Sequence, residues 1–338
     1  MQVYLALTVY VWITYAVLVW KAIQRRNARF LCLTLAFILP VTYLLGIQSS
    51  GQIVYGGLIG DNSFQISLLN NVIHGNYFGD YYQKVTPLDY PPLFFWLLGT
   101  LSRWSHLDAI TAWRLFPLVL LALWPFLLFQ LGKKLGNEET AIWISAGALG
   151  IGTLNTRFFG FTLPQRDWGI FSLTLNKPYE ILAAFLLLNW IIQASISKFK
   201  LNKINFVKIF LTGGIIALLY YPFLAPGALA LILEYWREKS CVLRRNILQT
   251  SLAFLSGAFI FGLPFWGTIA YGFINFPSGA NYRTHYIALW HFDPTGYTVG
   301  LGYVGGLFIF GLLSVWRLWK QDIKTPGYFW QVLTLWLA

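Results

Sequence analysis

Apolar runs of bilayer-spanning length, broken by short stretches that carry lysine and arginine, recur along the whole of this chain. A membrane-crossing helix needs roughly 17–25 such residues, and a helix satisfies its own backbone hydrogen bonds in lipid. Composition agrees: 57% of the 338 residues are hydrophobic and 11% charged, whereas soluble domains carry about 25% charged residues. A soluble fold with an enlarged core does not produce runs of this length. The chain therefore reads as all-α, a polytopic membrane protein.

The formal net charge of +12 invites a nucleic-acid reading, but its placement excludes one. Seventeen of the 24 basic residues fall in five breaks between apolar runs. These hold Lys21, Arg25, Arg26 and Arg29; Lys133 and Lys134; Lys198, Lys200, Lys203 and Lys208; Arg237, Lys239, Arg244 and Arg245; and Arg317, Lys320 and Lys324. Such clusters mark cytoplasmic loops. Cys32 and Cys241 fall beside two of them, which predicts free thiols on the reducing side. The first apolar run has no basic leader and no small-residue cleavage site, so it is expected to be a retained helix.

With the basic clusters inside, the topology follows. Helices are expected over 2–20, 30–48, 111–131, 139–155, 179–197, 247–271 and 300–316, with a hairpin over 206–236 broken near "YYPFLAPG" and a further start at 327–338. That amounts to about nine to ten transmembrane helices in a single membrane domain. The last run, at 12 residues, is too short to span, so 1–338 is expected to be the N-terminal part of a longer chain. The segments 49–110, 156–178 and 272–299 lie outside. Those segments and the outer end of the helix at 179–197 carry Asp61, Asp80, Asp89, Asp108, Asp167, Glu180 and Asp293, seven of the twelve acids.

The first external segment is the most informative. In "DNSFQISLLNNVIHG", Phe64, Leu68, Leu69, Val72 and Ile73 have helical spacing, giving an amphipathic helix in the interface plane with Asp61 or Asn62 as its N-cap. A turn-rich link follows, and then "PLFFWLLGTLSRW", about 13 apolar residues, too few to span and suited to a second interfacial helix. Each acid has an ordinary reading: Asp61 as a cap, Asp80 as an Asx-turn residue, Asp89 as a solvated loop acid. Against that, three carboxylates gather within 29 positions on a membrane-hugging segment that is otherwise aromatic and neutral, and carboxylates at a bilayer face tend to be functional. Tyr77, Phe78, Tyr81, Tyr82 and Tyr90 suit either an aromatic belt or stacking against sugar rings.

An acid opening the first large external loop, with "VIHGNYFGDYYQ" and "DYPPLFFWLLG" after it, resembles the GT-C glycosyltransferases. Over residues 55–135 the likeness is greatest to the N-terminal membrane domain of galactan arabinofuranosyltransferases. The resemblance implies two juxtamembrane helices in this loop and an inverting transfer. The sugar, arabinofuranose in the subfamily, would leave a polyprenyl phosphate for a glycan or lipid acceptor on the extracytoplasmic side. It places Asp61 as the base or orienter of the acceptor hydroxyl. Many arabinosyltransferases carry two adjacent acids here, whereas this chain has Asp61-Asn62, so Asp80 or Asp89 would supply the second charge.

A departing lipid phosphate needs cations or hydrogen-bond donors more than a general acid. Among the scarce external bases, "LPQRDWGIFSLTLNKPYE" offers Lys177 or Arg166 for the phosphate, beside Glu180. The ordinary reading of the same stretch is a helix start, with Asn176 as N-cap, Pro178 in the first turn and Glu180 complementing the dipole. In "YRTHYIALWHFDPTG", Arg283 and His285 suit the phosphate, and Trp290 and His291 the sugar. The six-residue His spacing fits no common helical metal pair. No metal ligand is assigned, and a divalent cation is left open. His74 and His106 read as structural.

No Walker loop, dinucleotide fingerprint, zinc framework or serine elbow is present, which suits a lipid-linked donor. The rival readings are a transporter or flippase of lipid-linked sugars, and a non-catalytic membrane scaffold. The first calls for ionisable residues within the spans, which are nearly empty of them. The second leaves the clustered acids unexplained.

Overall fold

The computed structural model describes residues 27–50, 61–78, 91–135, 174–199 and 202–275, with isolated positions between 10 and 25, 53 and 58, and 138 and 145. Every regular element among the described residues is helical. Contacts divide the chain into two compact units, residues 1–84 with 92–185 and residues 85–91 with 186–338.

Among the described residues eight α-helices run in order: α1 Ala28–Ser50, α2 Asp61–Ile73, α3 Leu93–Trp104, α4 Ala109–Leu135, α5 Pro178–Ile196, α6 Lys203–Tyr220, α7 Leu224–Arg237 and α8 Cys241–Asn275. Four stretches among the described residues are long and apolar enough to cross a membrane: Ala28–Leu45, Ala109–Lys134, Lys203–Phe223 and Cys241–Leu263. They match the expected helices at 30–48 and 111–131, the first arm of the 206–236 hairpin, and 247–271. The helices expected over 2–20 and 139–155 have only isolated described positions, and those over 300–316 and 327–338 lie outside the described residues.

Short polar residues set the helix starts. The Phe30 amide donates to Asn27 Oδ1 (3.0 Å) before α1, and the Asn205 amide to Asn202 Oδ1 (2.7 Å) before α6. Asp108 does most at this task. One carboxylate oxygen accepts from the Thr111 amide (2.9 Å) and the other from the Thr111 hydroxyl (2.6 Å), so this acid is the cap of α4.

Those bonds, the Thr111 hydroxyl first, hold the Asp108 carboxyl below its ordinary value. Because the folded-state value is depressed, the contribution is complete above the ordinary aspartate pKa of about 3.9 and disappears as pH falls below it. Asp108→Ala is expected to cost about 1 kcal/mol at neutral pH, as cap removals do. Thermal unfolding of the purified chain should show a gap between wild type and variant at pH 7 that narrows toward pH 3. A gap independent of pH would refute the ionic part of the cap.

In the first unit, α1 packs lengthwise on α4. Leu31, Leu35, Leu39, Tyr43 and Ile47 recur every four residues and meet Leu121, Trp124 and Leu128. Two bonds cross this seam. The Tyr43 hydroxyl donates to the Arg114 carbonyl at 3.0 Å, and the Cys32 thiol makes a long contact of 3.5 Å with the Pro125 carbonyl. Both cysteines are thiols, Cys32 buried and Cys241 exposed.

The short helices α2 and α3 pack on each other and on α4. A side chain at Gly99 would meet Val72 at 2.6 Å, so glycine there brings α3 against α2. The buried face of α2 comprises Asn62, Gln65, Ile66, Leu68, Leu69 and Val72. Phe64 and Ile73, read from the sequence as part of the apolar face, are half-buried. The reason is rotational: two amides sit on the inward stripe, and α2 turns that mixed face to the protein. On α3 it is Leu97, Leu101 and Trp104, one helical row, that stays exposed. The stretch just after α2 is tied to α3 where the Trp96 indole donates to the Tyr77 carbonyl at 2.7 Å.

In the second unit α6 and α8 form the main pair. Gly213 and Gly257 sit where the backbones touch: a Cβ on Gly213 would collide with the Phe254 carbonyl, and one on Gly257 with that of Phe210. Small residues at such crossings are how helices associate in lipid. Beside them Trp190 stacks on Phe254, with centroids 4.4 Å apart and planes at 11°. The expected break in the hairpin falls at Tyr221–Phe223, a single 3₁₀ turn carrying Pro222. The expected starts of α6 and α8, at 206 and 247, come several residues late. Lys203, Lys208, Arg244 and Arg245 lie inside the helices, since long basic side chains propagate a helix and snorkel toward water. At its far end α8 reaches Asn275, four residues into the external segment expected from 272.

Candidate functional site

α2 begins at Asp61, and the next side chain, Asn62, is buried. One turn further, Gln65 is 1% exposed and its Nε2 donates to the Tyr179 hydroxyl at 3.0 Å. Tyr179 stands 114 positions away, in the first turn of α5. This bond links α2 to the first turn of α5, two helices whose starts the sequence marks separately.

The start of α5 departs from expectation in one detail. Residues 174–176 are already helical, and the Lys177 carbonyl accepts from the amides of Glu180 (3.1 Å) and Ile181 (3.3 Å). Lys177 therefore occupies the N-cap position assigned to Asn176. A cation there opposes the helix dipole, and Glu180 offsets it: Lys177 Nζ lies 3.4 Å from Glu180 Oε1, both side chains partly exposed. Just upstream, the buried Trp124 indole donates to Thr174 Oγ1 at 2.7 Å, tying this stretch to α4.

Aromatic rings wall the Gln65–Tyr179 pair. Phe94 and Phe95, from the first turn of α3 directly after Pro92, lie 6.3 and 5.7 Å from the Tyr179 ring. Trp113 is parallel to Phe95 at 6.4 Å, and Phe116 meets Phe94 edge-on at 5.2 Å. The first turn of α3, directly after Pro92, thus places its two phenylalanines in the wall behind Tyr179. Within it Gln65 Oε1 is buried without a hydrogen-bond partner among the described residues.

Of the expected site residues, Asp61 and Asn62 open α2 ahead of Gln65, and Lys177 and Glu180 flank Tyr179, so the Gln65–Tyr179 bond links their two helices. Asp80, Asp89, Tyr90, Arg166, Arg283, His285, Trp290 and His291 lie outside the described residues. His74 bonds the Asn70 carbonyl through Nδ1 (2.8 Å), and His106 adopts a left-handed turn (φ 55) after α3; both fit structural roles. Among the described residues no three His, Cys, Asp or Glu side chains gather as a metal site. Sequence reasoning passed over Gln65 and Tyr179. The available signal was Gln65 itself, an amide one turn from Leu69 on the inward stripe of α2. Comparison with protein-family models, curated proteins and solved structures found no match.

Proposed function

We propose that this chain is a membrane glycosyltransferase of the GT-C kind, which moves a sugar, arabinofuranose first among candidates, from a polyprenyl phosphate to a glycan or lipid acceptor on the extracytoplasmic side. The Gln65–Tyr179 bond carries the reading, because it couples the acid-bearing start of α2 to the Lys177–Glu180 start of α5. Two helices too short to span, α2 and α3, lie in sequence between the span-length α1 and α4, which also supports it.

In the proposed reaction Asp61 takes the proton of the acceptor hydroxyl. The acceptor oxygen bonds to the anomeric carbon with inversion as the bond from that carbon to the phosphate oxygen breaks. The electron pair leaves on the lipid phosphate, whose charge Lys177 and Arg166 offset. The test is incubation of the purified full-length chain, with membrane glycan as acceptor, against a panel of polyprenyl-phosphate sugars. One donor is expected to be consumed, with release of polyprenyl phosphate that depends on the acceptor. Donors that stay chemically intact but cross the bilayer would favour the transporter reading instead.

A further inference from the structure

The elbow between α7 and α8 is built more tightly than a loop needs. Glu238 Oε1 accepts the Ser240 amide at 2.9 Å, and Arg244 Nε donates to the Glu238 carbonyl at 2.6 Å. The Arg244 guanidinium also lies over the Tyr235 ring, 5.6 Å from its centroid. Ser240 caps α8, its hydroxyl accepting from the Leu243 amide at 3.4 Å. These contacts use the Glu238 carboxylate and Arg244 internally and leave Lys239 and Arg245 exposed.

Both apolar outer rows end at this elbow. On α7 the row Leu229, Ile232, Trp236 is exposed and finishes on Trp236, at 71%. On α8 the row Leu248, Leu252, Leu255, Phe259 is exposed, and Arg245 continues it by one step toward the helix start. Arg245 therefore sits about 4.5 Å along the axis from the first leucine of that row, at 1.5 Å per residue. A cation at the end of an apolar row, with a tryptophan ending the neighbouring row, is the layout of a helix passing from hydrocarbon into headgroups.

From this geometry we infer that the α7–α8 elbow is a seat for acidic phospholipid. Lys239 and Arg245 contact the headgroup phosphate, and Trp236 lies at the glycerol level beside the acyl chains. The occupant follows from charge and continuity: two cations not used by the elbow's own contacts, on a face whose apolar rows continue the outer face of a membrane-length helix. The inference rests on α8 as a membrane span and is independent of glycosyl transfer.

The test uses the full-length chain in nanodiscs of phosphatidylcholine alone or mixed with phosphatidylglycerol. Wild type is expected to unfold at a higher temperature in the acidic discs, by a margin that shrinks with added salt. Lys239→Gln with Arg245→Gln should lose most of that margin, whereas Lys21→Gln with Lys198→Gln, an equal loss of charge at two other exposed lysines, should keep it. A margin retained by the elbow variant, or lost equally by both pairs, overturns the seat. If the elbow variant does not fold, native mass spectrometry of wild type decides: preferential retention of phosphatidylglycerol is expected, and equal retention of the two lipids overturns the proposal. Failure to enter either disc would instead count against the membrane span.

Discussion

Gly257→Leu is expected to yield no folded protein, and Gly257→Ala a protein that unfolds at a clearly lower temperature. The cause is backbone. The nearest atoms to a new Cβ at this position are the carbonyl oxygen, carbonyl carbon and Cα of Phe210, not a side chain that can swing away. α6 and α8 would have to separate, breaking the reciprocal contact at Gly213 and the packing around Phe254, which is fully buried. Overpacking costs about 1–3 kcal/mol in forgiving cores and more in tight ones. In lipid no hydrophobic force draws the helices back. Gly267→Leu is the control on the same helix, since among the described residues nothing lies within 4 Å of a Cβ there. Size-exclusion profiles and thermal midpoints in detergent check the pair, and a Gly257→Leu protein as stable as Gly267→Leu would refute the account.

Asp61→Asn is expected to lower glycan transfer by about 10²–10⁴-fold, the usual worth of a positioned base, with the thermal midpoint and donor binding little changed. Asn keeps the short polar side chain that a helix start favours, so folding should survive while proton abstraction does not. Asp89→Asn tests the second charge that the Asp61-Asn62 pair lacks. Transfer assays on membranes carrying each variant are the measurement. If both substitutions leave transfer intact, the glycosyltransferase proposal fails.

Helix positions were legible wherever one local pattern decides them. The apolar runs at 30–48 and 111–131 became Ala28–Ser50 and Ala109–Leu135, and "YYPF" broke the hairpin because Pro222 cannot continue a helix without strain. Charge was a poorer guide to ends than to sides: Arg244 and Arg245 were placed in a loop, yet the α8 start is set by Ser240. Contacts between distant segments left little local trace. Gln65 and Tyr179 meet across 114 positions, and neither apolar spacing nor capping chemistry refers to a partner so far along the chain. The face that α2 turns inward was not legible for a related reason. Hydropathy assigns Asn62 and Gln65 outward, and only a partner such as the Tyr179 hydroxyl makes an inward amide affordable.

α4 has an unusual mechanical character. Pro117 and Pro125 each remove an N–H from its ladder, so the carbonyls of Trp113 and Leu121 lose their axial partners. Two missing rungs concentrate bending between those points. The bonds from α1 fall at the two ends of that weakened stretch, Tyr43 on the Arg114 carbonyl and Cys32 on the Pro125 carbonyl. α1 thus acts as a splint along α4. The splinted stretch also carries Trp113 and Phe116, rings of the wall behind Tyr179, so the stiffness of one helix pair sets how steadily that wall is held.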